Sequence, residues 1–113
     1  MNMQSHIVRE ADVEKALDFL RDNATDLGRA RARSVAAGHM LKHTEALCFK
    51  MSEATSNDRR QADARTHPKY IEAINEDAQA AGDLATMYAL REAAALKIEA
   101  WRSESATFRS MKL

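Results

Sequence analysis

Two histidines four residues apart, His39 and His43 in "HMLKH", are the first pair in this chain whose type and spacing could do chemistry. On a helix they share a face and could chelate one metal ion. The metalloprotease arrangement needs Glu directly after the first His, but Met40 stands there, and neither Glu45 nor Cys48 is phased to complete a ligand set. No metal and no cofactor are expected. No Gly-rich phosphate loop and no Ser/His/Asp pattern occurs, and acidic pairs such as Glu72 with Glu76 read as solvated helix faces. Catalysis needs groups from several elements converging in a pocket. The expectation is a protein that is not an enzyme.

The second constellation is cationic. Arg29, Arg31 and Arg33 alternate in "GRARARS", and Lys42, Lys50, Arg59, Arg60 and Arg65 follow within the same middle third. Arg29 and Arg33 share a helical face; Arg31 does not. Together these eight are the candidate nucleic-acid contacts, against the blander reading of a solvated face. The third constellation is Arg91, Arg102 and Arg109, which fall within about 20° of one another on a helix and border a stripe carrying Trp101 and Phe108. Such a ridge could stack single-stranded nucleic acid. The commoner meaning of helically spaced aromatics is packing, so Leu84, Met87, Ile98, Trp101 and Phe108 are expected to form an oligomer interface.

Composition decides what can position these groups. Of 113 residues, 22 are Ala, whereas Leu, Ile, Val and Phe together number 19. Seventeen basic and seventeen acidic residues cancel, which argues against disorder. Ala with Glu, Lys, Arg and Met favours helix, because these side chains lose little freedom there. Three Gly and one Pro leave few breaks. The expected fold is all-α: an elongated helical hairpin or bundle with a long C-terminal helix. Burying an Ala methyl yields much less than the ~1.5–3 kcal/mol of a Leu or Phe side chain, so self-association is expected to complete the core.

Charge runs in blocks. Residues 1–28 carry net −3, residues 29–69 net +5 and residues 70–113 net −2. Such a chain can neutralise itself in an antiparallel hairpin or present a basic patch to nucleic acid; the first reading is preferred. No apolar run approaches about 18 residues and no signal-peptide pattern is present, so no membrane contact is expected. Cys48 is the only cysteine, which excludes an intramolecular disulfide and makes a reducing cytoplasm the default.

A single domain over 1–113 is expected, with residues 1–8 loose and helices at 10–24, 26–54, 57–65 and 68–110. Val13, Ala16, Leu17 and Leu20 line one face of the first helix. In the second, Leu27, Ala30, Ser34, Ala37, Leu41, Thr44, Cys48 and Met51 step by threes and fours, a seam of mostly small residues suited to close approach. Gly28 either ends the first helix or lies inside a continuous one. "SND" at 56–58 caps the third helix, and Thr66 or His67 caps the fourth, with Pro68 at its first position. In that last helix Tyr70, Ile71, Ile74, Ala78, Ala81 and Ala85 fall on one side, and Leu84, Met87, Leu90, Ala94, Ile98, Trp101 and Phe108 on another, about 150° away. Either the helix bends near Gly82 or its two halves meet different neighbours, one of them a second copy.

The segment Arg59 to Leu113, with Tyr70 near its cap and the "LR-AAA-KIE-WRS" pattern at Leu90, Arg91, Ala93, Ala94, Ala95, Ile98, Glu99, Trp101 and Arg102, resembles small helical proteins of tailed bacteriophages. The resemblance covers the C-terminal half. It implies a phage origin, location in the host cytoplasm, and a role beside recombination or replication genes, and it supplies no catalytic residue. Two functions follow as expectations. One is a non-enzymatic homo-oligomeric accessory protein of phage DNA metabolism, bound to DNA or to a DNA-processing protein of host or phage. The other is a protein-binding module that docks on and modulates a host enzyme without nucleic acid.

Overall fold

A computed structural model of the chain describes residues 7–111. Among them the only regular elements are four helices: α1 (Glu10–Asp22), α2 (Ala24–Met51), α3 (Asn57–Thr66) and α4 (Pro68–Met111). The fold is all-α with a long C-terminal helix, as composition implied. The expected looseness of residues 1–8 falls mostly on residues 1–6, which lie outside the described residues. Ile7 is tied down, its N–H donating to the Glu104 carboxylate at 3.1 and 3.2 Å.

Local chemistry explains each boundary. Asp12 accepts the Arg9 N–H at 3.4 Å, and Glu10 and Asp12 place negative charge in the first turn of α1. That helix stops at Asn23, which leaves helical geometry at φ −98°, ψ 9° while its N–H still reaches Phe19 O. Gly28 lies inside α2 with open space where a Cβ would sit, so the first break falls five residues before it. The second helix ends at Met51, three residues short of expectation. Ser52 accepts the Ala54 N–H and donates to the Asp63 carboxylate at 2.6 Å, and Arg60 takes the Ala54 carbonyl at 2.9 Å. Side-chain bonds of this kind offer the backbone an alternative to the helix. Ser56 caps α3 by accepting the Arg59 N–H at 3.2 Å. His67 caps α4, its Nδ1 accepting the Lys69 N–H, with Pro68 in the position where no N–H is needed.

Contacts gather into two compact units, residues 1–26 with 86–113 and residues 27–85. In the first, α1 packs on the C-terminal half of α4, and Val13, Ala16 and Ala94 are buried. In the second, α2 runs antiparallel to the first half of α4, with Arg33 reaching Glu76 and Asp83 and Gly38 facing Asp77. Its buried residues are Ala37, Cys48, Ala64 and Ala80. The small-residue seam of α2 is covered as expected from Leu27 to Cys48, while Met51 at its end stays exposed.

The two halves of the C-terminal helix meet different neighbours, as one sequence alternative had it, but both neighbours, α2 and α1, belong to the same chain. The 44 residues of α4 run through Gly82 without a break. Its covered positions also keep one register: Tyr70, Ala73, Asp77, Ala80, Leu84, Met87, Arg91, Ala94, Ile98 and Trp101 succeed one another by threes and fours. Ile71, Ile74, Ala78, Ala81 and Ala85 are all exposed. The covered seam therefore does not change sides; only the bulky residues do. Close approach to α2 selects small side chains in the first half, which a phase computed from bulk cannot detect.

Candidate functional site

The eight candidate phosphate contacts separate into three groups. Arg33 is spoken for: its guanidinium donates to Glu76 at 2.9 Å and to Asp83 at 2.6 Å. The Glu76 hydrogen bond and then the Asp83 bond make its proton still harder to remove, and the same contact pulls Glu76 below the ordinary carboxylate range. Arg65 lies 3.6 Å from Glu45, and Arg60, besides holding the Ala54 carbonyl, stacks 5.6 Å above the Phe49 ring. Arg29 and Arg31 each make an interaction of their own. Lys42, Lys50 and Arg59 are exposed and form no ion pair among the described residues. Within residues 27–85, Arg33 of α2 thus pairs with Glu76 and Asp83 of α4, the kind of contact the block charge pattern suggested for a hairpin, while Lys42 and Lys50 of the same helix do not share in it.

The arginine ridge of the last helix is dismantled at its first member. Arg91 turns toward the end of α1, where its Nη1 donates to Leu20 O at 2.9 Å and closely to the Asn23 side-chain oxygen. Asn23 is buried and gives its own amide N–H to the Met87 sulfur at 3.5 Å. This polar pin closes the α1 terminus and was invisible to a search for charge patterns, because its partners lie 68 and 71 residues from Arg91. Arg102 pairs with Glu99 at 3.7 Å. Trp101, Arg102 and Arg109 border an open depression of about 580 Å³, but one helix supplies its whole wall. Groups from a single helix do not converge as a catalytic or ligand pocket requires.

The expected oligomer interface is half-used by the chain itself. Leu84, Met87, Ile98, Trp101 and Phe108 are each half-buried within one copy, and Met87 receives the Asn23 bond. Large apolar side chains are exposed in both units, Leu17, Leu90 and Leu96 in the first and Met40, Leu47, Met51, Ile71 and Ile74 in the second. Met40, Leu47 and Met51 remain 54%, 47% and 49% exposed. They line a groove of about 430 Å³ between α2 and the start of α4, with Thr44 and Cys48 at its floor and Lys69, Glu72 and Glu76 on its rim. Met40, Thr44, Leu47 and Met51 step by four, three and four, the spacing of a helix-packing seam. Met40, Leu47 and Met51 thus form a second, open stripe beside the covered seam of α2.

His39 and His43 are exposed, and no group of three His, Cys, Asp or Glu that could hold a metal ion occurs among the described residues. The Cys48 thiol is buried at 2% exposure and packs as a small apolar group. No described helix is long and apolar enough to cross a membrane. Compared with protein-family models, curated proteins and solved structures, the chain matches none.

Proposed function

We propose that this chain is a non-enzymatic helical accessory protein that acts by protein–protein contact, beginning with copies of itself, in the phage DNA-metabolism setting its C-terminal half implies. The observation that carries this reading is what the fold buries. Its apolar core consists of five alanines, Val13 and Cys48, while Met40, Leu47, Met51, Ile71 and Ile74 stay at the surface.

Light scattering across a concentration series tests the reading. The expected result is a mass of at least twice the chain's, falling only on strong dilution. A monomer at every concentration would count against self-association.

One observation favours nucleic acid as a second partner: Lys42, Lys50 and Arg59 project from α2 and α3 with no ion pair among the described residues. Three phosphate contacts would give weak binding, with log K falling by about 2–3 per tenfold rise in salt. A gel shift at two salt concentrations, with Lys42→Glu/Lys50→Glu as control, tests this reading. Affinity that ignores both salt and substitution would remove nucleic acid from the account.

A further inference from the structure

We propose that the open groove of α2 is the self-association surface, and that it is occupied by the same groove of a second copy, with the two α2 helices antiparallel. The inference deepens the proposed function and rests on it.

The groove has the makings of a self-complementary contact. Its apolar floor repeats at helix-packing spacing over Met40, Thr44, Leu47 and Met51, so a second helix can seat its own side chains between them. Three of these four side chains are about half exposed, so a neighbour would cover them without moving the fold. Methionine suits such a surface, because its flexible thioether adapts to the partner's shape.

Charge on the rim sets the direction. Because α2 and the first half of α4 run antiparallel, Lys69 stands at the Met51 end and Glu76 at the Met40 end. At the latter end two carboxylates, Glu76 and Asp83, share the single Arg33 guanidinium, which leaves negative charge in excess within that triad. A two-fold axis between Thr44 and Leu47 sets Met40 against the partner copy's Met51 position and brings Lys69 to the acidic end of the other groove. A parallel pairing would set Lys69 against its own copy and Glu76 against its own, which costs energy at both ends. A two-fold contact uses the same patch twice, so it closes as a dimer and leaves no open end for a filament.

The experiment uses introduced thiols. In a Cys48→Ala background, Met40→Cys and Met51→Cys chains are prepared separately and treated with a short thiol cross-linker, alone and mixed. Antiparallel pairing predicts cross-linked dimers in the mixture and little from either chain alone. Cross-linking of Met40→Cys alone would overturn the antiparallel arrangement. In parallel, Leu47→Glu, at an exposed position, should convert the dimer to monomer with unchanged helical circular dichroism, and Lys69→Glu on the rim should weaken it several-fold. A Leu47→Glu chain that stays dimeric sinks the groove and leaves self-association standing. A monomeric wild-type chain sinks both.

Discussion

The two compact units hold themselves together by different means. In residues 1–26 with 86–113, large side chains turn inward: Phe19, Leu20, Met87, Ile98, Trp101 and Phe108 are all at least half-covered, and a buried amide and a guanidinium lock the end of α1. In residues 27–85, alanines, a cysteine and a glycine form the tightest part of the seam and ion pairs flank it. Both units leave bulky residues outside, Leu17, Leu90 and Leu96 in the first and Met40, Leu47 and Met51 in the second. Transfer energy scales with buried apolar area, so a seam of small residues gains less per position than one that covers large side chains. The contrast teaches that the density of apolar residues in a helix does not say which of its faces is the core.

The sharpest way to break the first unit is Arg91→Met. Leu20 O and the Asn23 side chain lose a charged donor in a half-buried corner, and a hydrogen bond from a charged group is worth about 1.5–3 kcal/mol. Urea denaturation should show a loss of about 2–3 kcal/mol, with Arg91→Lys recovering part of it. A loss below about 0.5 kcal/mol would mean that the pin is ornamental.

The seam of the second unit is probed by two neighbours. Ala80 is 1% exposed and Ala81 is exposed. Ala80→Leu should overpack the seam and cost about 1–3 kcal/mol. Ala81→Leu should stay within about 0.5 kcal/mol of wild type. Equal effects in thermal melts would mean that the seam is not where the covered register places it.

Smaller and opposite in sign is Gly82→Ala. The added Cβ meets nothing within 4 Å, and Gly within a helix is about 0.5–1 kcal/mol worse than Ala, so the melting temperature should rise. A fall would reveal a departure from regular helix at that residue.

The smallest effect belongs to the Arg33 cluster. All three side chains are 42–53% exposed and screened by solvent, so Arg33→Ala should cost little stability, and less in high salt. Glu76 titrates below the ordinary carboxylate range because Arg33 bonds its charged form. Its contribution is therefore complete above the unfolded glutamate pKa of about 4.3 and is lost as pH falls through the lower folded value. An acid titration of stability should show that loss in wild type and a shallower one in Arg33→Ala. Identical titrations would remove the cluster's role.

Much of the architecture was legible because it is written locally. Ser56 and Pro68 mark helix starts by their own hydrogen-bonding limits, and the α2 seam shows as small residues in heptad steps. The block charges anticipated the pairing of Arg33 on α2 with Glu76 and Asp83 on α4. What stayed hidden required knowing who sits opposite. Asp77 belongs to the covered register because it faces Gly38 of α2 across the seam. Arg91 looked like part of a ridge until Asn23 met it from another helix. That Met40 and Leu47 stay exposed was hidden too, because a hydrophobic pattern marks a stripe without counting the helices available to cover it.

Sequence by itself determined that this chain is helical, where its capped helices α3 and α4 begin, and that its large apolar side chains are too few for a heavy core. These properties follow from backbone propensity, capping and composition, each acting within a few residues. Tertiary structure alone decided which face of each helix is covered, which arginines are engaged, and that α2 keeps a methionine-lined side open. Those outcomes depend on the distance of closest approach between helices, which small residues far apart in the chain set jointly.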